Sequence, residues 1–336
     1  MTAETAAARQ LLTQARTRTA PALREAIDEL PGHLRHLAGY HLGWWDEHGR
    51  ARDGDGGKAL RPALALACAR AVGSTATATA VPAAVAVELV HNFSLVHDDV
   101  MDGDATRRHR PTVWKVFGVG QAILLGDALL SLAYSVLGRL PRLYPDAVRM
   151  LTAATTDLIE GQSDDLAFCD RLEVTPAECL AMARKKTGAL MACSAGLGAL
   201  GGGGAPAQVT QLCEFGADLG LAFQCADDLL GIWGDPATTG KPAYSDLVSR
   251  KKSLPVTAAF ASRTAAGDWL LAAYHRDDLN LHDAAAAVEL AGGRAWCQRQ
   301  ADELIERARA SLTTGVPLAH TRELSALAAL FGRRDR

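Results

Sequence analysis

Apolar residues recur along most of this chain at three- and four-residue spacing, the period of a helix with one buried face. Strand-like alternation is hard to find. The pattern predicts helices over 3–17 and 21–29, with Thr19 and Pro21 as a start signal for the second, and a break at Pro31-Gly32. Residues 33–47 read as amphipathic, with Trp44 and Trp45 packing. Longer helices are predicted over 119–139, 145–168, 207–232 and from Pro176 to about Leu200. The segment 256–331 reads as helices broken near Gly267, 277–280 and 313–317, and it offers no recognisable chemistry. The expectation is an all-α protein in one domain, 1–336, with 1–30 as N-terminal helices and 331–336 as a solvated tail.

Two apolar helical runs end in carboxylates. Val87–Asp102 delivers Asp98, Asp99 and Asp102, and Asp98 and Asp102 stand one turn apart on one helical face. Phe223–Asp235 delivers Asp227 and Asp228. Neighbouring anions repel unless a cation lies between them, and hard oxygen ligands favour magnesium. Magnesium in turn borrows ligands from substrate phosphates. Two such clusters facing each other across a cavity would suit a metal-held diphosphate.

Cations accompany them. Lys58 and Arg61 lie three apart after the glycine-rich loop 48–57, at a predicted helix start where phosphate is favoured. His91 is two turns before Asp98. Arg107 and Arg108 sit in a glycine- and proline-bounded loop and can grip phosphate bidentately. Lys185 and Lys186 interrupt an apolar helix, a costly place for a cation unless it reaches water or an anion. Gln162 and Asp165 share a helix face. The long loop after Asp235 carries Lys241, Asp246 and Lys251, and a loop of that length is usually functional.

Composition narrows the class. Apolar residues make up 49% of 336 positions, and the net charge of −3 gives no general attraction to nucleic acid or an anionic membrane. Seven scattered cysteines, without metal-binding spacing, read as reduced thiols in a cytoplasmic protein. The N-terminus shows no secretory signal pattern. The longest apolar stretch, 119–138, contains Gln121, Gly126 and Asp127 and reads as a buried core helix rather than a membrane span.

Taken in order, these motifs resemble those of the trans-isoprenyl diphosphate synthases. The resemblance rests on Gly57-Lys58-Ala-Leu-Arg61-Pro62, Asp98-Asp-Val-Met-Asp102 with Arg107-Arg108, Gly161-Gln162 with Asp165, and Lys186-Thr187. It continues through Phe223-Gln224 with Asp227-Asp228, Gly240-Lys241-Pro242, Asp246-Leu247 and Lys251 with Leu254-Pro255. The resemblance implies about a dozen helices around a deep central cavity, and a homodimer. It implies metal binding by Asp98, Asp102 and Asp227, with Asp99 and Asp228 in the same clusters and Asp246 helping through water, and three magnesium ions per site once diphosphate is bound. Gln162 and Asp165 would assist through water. It implies that Arg107, Lys186 and Lys241 hold the allylic diphosphate, and that Lys58, Arg61, His91 and Arg108 hold isopentenyl diphosphate. Lys251 is a further phosphate candidate, and Thr187 and Gln224 would line the path of the allylic cation. One departure stands out: where the family commonly has a third acid in the second motif, this chain has Gly231.

Phe93 and Ser94, five and four residues before Asp98, set the expected floor for the growing chain. One bulky and one small residue there resemble producers of geranylgeranyl diphosphate (C20). The alternatives are a farnesyl (C15) or longer (C25 and above) product. Outside this class stand a terpene cyclase, which would leave Lys58 and Arg61 unexplained, and a non-catalytic partner subunit, which would be expected to have lost acids from the first motif.

Overall fold

The structure is a computed structural model that describes residues 3–52, 57–73, 77–140, 143–236, 243–276 and 278–332. It holds about fifteen helices, as an all-α reading requires. The count exceeds a dozen because short pieces such as Val113–Phe117 and Ser245–Val248 carry too few turns to show a period. The N-terminal half runs α1 (Ala3–Asp28), α2 (Gly32–His41), α3 (Leu60–Ala71), α4 (Ala80–Met101), α5 (Val113–Phe117), α6 (Val119–Leu137) and α7 (Tyr144–Cys169). Then come α8 (Pro176–Ala183), a π-helical turn over Arg184–Gly188, α9 (Ala189–Gly201) and α10 (Pro206–Trp233). Among the described residues the paired strands are the two-residue β1 (Thr106–Arg107) and β2 (Arg110–Pro111).

Two expectations about the helices are corrected, and the expected break near Gly267 is found. The first two predicted helices are one: α1 runs unbroken through Pro21. Its buried stripe of Ala8, Leu11, Ala15, Thr19, Ala26 and Ile27 continues past the proline, so packing on α3 and α4 overrides the lost hydrogen bond. α2 ends at His41, and Trp44 and Trp45 belong to the following turn. There the Arg24 guanidinium lies 4.4 Å from the Trp44 ring centre. The indole of Trp45 fills the space a side chain at Gly39 would need. Gly267 lies inside the helix Ala265–Ala273, and the break falls just before it, where Thr264 caps the helix by accepting from the Gly267 N–H at 3.1 Å.

The chain forms two compact units. The first comprises Met1–Ala153, Cys193–Cys213 and Val316–Ala326, and the second the remainder. In the first, α4 packs on α3 and α6 and is buried over most of its length. Both α4 and α6 are long and apolar enough to cross a membrane by length and composition. For α4 that apolarity is the mark of a core helix, because 72% of its apolar window is buried inside the protein. For α6 the figure is 39%, so the expected core helix buries only one face. In the second unit, helices Leu254–Phe260, Leu281–Leu290 and Gly293–Thr314 pack around Ile232, Leu247, Val256, Leu270 and Val288.

Candidate active site

In the first unit the last turn of α4 presents the first acid cluster. Asp98 is half-buried and Asp102 exposed as the C-cap residue, its N–H bonded to the Asp98 carbonyl at 2.8 Å. Asp99 points the other way, into the protein. One of its oxygens accepts from Arg107 Nε at 2.6 Å, and the other is buried without a hydrogen-bond partner. Burial raises the Asp99 carboxyl to about 6, against the opposing pull of Arg107. Asp99 therefore anchors the loop, while Asp98 and Asp102 face outward.

The anchored loop is the β1–β2 hairpin. Arg107 pairs with Arg110 across it, and Arg108 and His109 form the turn at φ values of 52° and 60°. Non-glycine residues hold such angles only when the surroundings enforce them. Here Arg110 donates to the carbonyls of Tyr40 (2.9 Å) and Trp45 (3.1 Å), and Tyr40 Oη donates to Pro111 O at 2.8 Å. Arg110 was not among the expected functional residues. Its neighbours Arg107 and Arg108 look identical to it in sequence, and only the fold separates the anchor from the presented cations.

Lys58 and Arg61 do not share a helical face. Ala59 is left-handed (φ 51°) and caps α3, so Lys58 lies in the loop and Arg61 in the first turn. Gly57, at φ +113°, has the Arg108 guanidinium 2.8 Å from where its Cβ would be, which brings the first basic motif and the hairpin tip together. Burial and then the charges of Arg61 and Arg108 push His91 well below the ordinary imidazole range, leaving a neutral ring. Phe93 is buried and meets the His97 ring edge-on at 4.9 Å between centres. Ser94 turns its hydroxyl to the His91 carbonyl at 2.8 Å.

In the second unit the π turn holds Lys186 and Thr187, and α10 holds Gln224. A Cβ on Gly161 of α7 would lie 2.4 Å from the Lys186 nitrogen, and one on Gly220 of α10 would lie 2.8 Å from the Gly188 Cα. These two glycines let the turn seat between the helices. Lys186 Nζ then donates to Asp165 at 2.6 Å, and Lys185 pairs with Glu160 and Asp164. Thr187 Oγ1 donates to Gln224 Oε1 at 2.7 Å, and Gln224 Nε2 donates to Asp228 Oδ1 at 2.7 Å. Asp228 Oδ2 accepts the Leu254 N–H at 2.9 Å. Both Asp228 oxygens are thus engaged within the protein, as anchors rather than outward ligands. Burial raises the Asp228 carboxyl to about 6. The side chain of Gln162 is buried with neither amide atom paired.

Lys251 stands amid these acids, 3.8 Å from Asp228. Burial would lower its ammonium, but Asp228, Asp246, Asp165 and Asp227 outweigh that and raise it well above the ordinary lysine range. Lys241 lies outside the described residues. Gly231, the missing third acid, has its own explanation. A Cβ there would fall 2.3–2.5 Å from all three carboxyl atoms of Asp246. A carboxylate does stand beside the second cluster, and it arrives from the short helix Ser245–Val248.

Hard oxygen donors without sulfur or imidazole suit magnesium. Among the described residues no group of three side chains forms a complete metal cage.

The polyprenyl synthetase family profile matches residues 48–291. The chain is 50% identical over 290 residues to the (2E,6E)-farnesyl diphosphate synthase of Mycobacterium tuberculosis, covering 84% of this chain and 80% of that protein. It is 46% identical over 331 residues to the geranylgeranyl diphosphate synthase of the same organism, covering 97% and 93%. A solved polyprenyl synthetase from Streptomyces coelicolor A3(2) superposes with a TM-score of 0.90 at 47% identity, covering 96% of this chain and 98% of that one.

Proposed function

The chain belongs to the polyprenyl synthetase family, with its isoprenoid synthase fold and its magnesium-dependent trans-prenyltransferase chemistry, and from that premise we propose that it extends an allylic diphosphate with isopentenyl diphosphate to a C20 product. The observation that carries the product length is the pair before the first aspartates. Phe93 is large and buried, while Ser94 is small and spends its hydroxyl on its own helix. A floor with one aromatic leaves more depth than a floor with two. The longer-covering similarity to a C20 synthase supports the same reading; a C15 product is the second reading, favoured by the farnesyl diphosphate synthase relative.

In this reading Asp98 and Asp102, and in the second unit Asp227 and Asp246, hold magnesium, three ions per site once diphosphate is bound. Bound magnesium supplies positive charge that stabilises the departing diphosphate. Arg107, Lys186 and Lys241 hold the allylic diphosphate, and Lys186 then trades Asp165 for phosphate. Lys58, Arg61, Arg108 and the neutral His91 hold isopentenyl diphosphate. Thr187 and Gln224, fixed by Asp228, present their oxygens to the allylic cation. Lys251 keeps the second acid cluster from repelling itself before metal arrives. The protein acts as a homodimer in the cytoplasm, where its seven free cysteines stay reduced.

The test is incubation of the purified protein with isopentenyl diphosphate, each allylic primer and Mg²⁺, followed by product sizing. The expected main product is C20 from the wild type and longer from Phe93→Ala. A C15 main product with every primer overturns the length assignment, and no condensation at all overturns the reading.

A further inference from the structure

The isopentenyl diphosphate segment is held from a direction its own motif does not reveal. Arg16, on α1, donates from Nη2 to the Gly57 carbonyl at 2.6 Å, a contact across 41 positions. Its base is fixed, since Ala15 and Thr19 on either side belong to the buried stripe of α1. Gly57 is thereby gripped twice. Its carbonyl meets Arg16, and the Arg108 guanidinium occupies the space where a Cβ would be. Gly57 immediately precedes Lys58, so the conformation of this residue sets where Lys58 and the start of α3 stand.

A buried carboxyl group lies near these cations. Glu88 lies in α4, one turn from Asn92, whose amide donates to the Glu88 carbonyl at 2.7 Å. Burial pushes the Glu88 carboxyl up, and Arg61, Arg108 and Arg16 all pull it down by charge. Asn92 Oδ1 in turn meets His41 Nε2 at 3.0 Å, and burial lowers His41 to about 3, so that ring adds no charge. Arg61, Arg108 and Arg16 thus stand within electrostatic range of one buried carboxyl group.

We propose that Arg16 is a positioning residue of the isopentenyl diphosphate site: it fixes the Gly57 carbonyl, and through it sets Lys58 and Arg61 against Arg108 for a diphosphate. The proposal rests on the prenyltransferase reading above. Arg16→Ala should raise the half-saturating concentration of isopentenyl diphosphate about five- to tenfold, the loss of roughly one charge-assisted hydrogen bond. The half-saturating concentration of the allylic primer and kcat should stay within about twofold. Arg16→Lys, which keeps a charged donor, should fall between. Hydrogen–deuterium exchange gives a readout independent of turnover: the peptide covering 57–62 should exchange faster in Arg16→Ala, with the rest of the chain unchanged. Unaltered isopentenyl diphosphate dependence, or an equal rise for both substrates, overturns the proposal. If the wild type condenses neither substrate, the prenyltransferase reading falls by itself. Unchanged exchange at 57–62 would then reject Arg16 separately.

Discussion

At the scale of single residues, the chain shows how one substitution in a motif is answered elsewhere. Gly231 reads in sequence as a lost acid. The carboxylate of Asp246 stands where any side chain at 231 would be, and Ser245 Oγ donates to the Gly231 carbonyl at 3.2 Å beside it. No periodicity links a residue of one helix to a residue of another fifteen positions later, so the sequence shows the gap and not its filling. The other acids were legible as a set, but not their division of labour. Asp98 and Asp99 are adjacent and chemically identical, yet one faces outward and the other anchors Arg107. Gly231→Ala should displace the Asp246 carboxylate and raise the Mg²⁺ concentration for half-maximal activity about tenfold, as disturbed metal-site partners do. Gly231→Asp should do no better, although it restores the usual motif. A titration of activity and of Mn²⁺ binding against metal checks both; an unchanged metal requirement would remove Asp246 from the site.

At the scale of helices, amphipathic period and length were readable for α6, α7 and α10, whose boundaries fall within a few residues of expectation. What escaped was close approach between backbones, because it depends on which glycines meet which partners. Gly198 of α9 and Gly202, just past its end, face Ala65 and Ala69 of α3, each pair four residues apart. A Cβ on Gly198 would lie 2.1 Å from the Ala65 carbonyl oxygen. Backbone atoms cannot rotate aside as a side chain can, so Gly198→Ala should cost about 2–3 kcal/mol by overpacking. That amounts to roughly 4–10 °C in melting temperature. Gly32→Ala is the contrast. Its Cβ would meet only Arg35 Nη2 at 3.8 Å, and alanine in place of glycine lowers the entropy of the unfolded chain. Its melting temperature should stay level or rise slightly. Thermal unfolding of the two variants side by side decides; equal melting temperatures would mean that α3 and α9 have room to part.

At the scale of the whole molecule, the exposed side of α6 is the feature the individual chain leaves unexplained. Val119, Ile123 and Leu124 are 47%, 43% and 54% exposed on this long apolar helix. A contiguous apolar surface of this kind marks a contact with something. A membrane is a poor partner for it, because Asp127 lies mid-helix and its side chain is 62% exposed, where burial in lipid would strand a charge. A second copy of the same surface is a better one. Two α6 helices related by a two-fold axis would cover the leucines while leaving polar positions at the rim. In the homodimer proposed above, Leu124→Glu should therefore favour the monomer in sedimentation equilibrium, by placing like charges opposite each other in a closing interface. Anionic vesicles should retain neither form. A wild type that is monomeric at micromolar concentration and floats with vesicles would reverse the assignment, and the apolar face of α6 would then belong to a lipid surface.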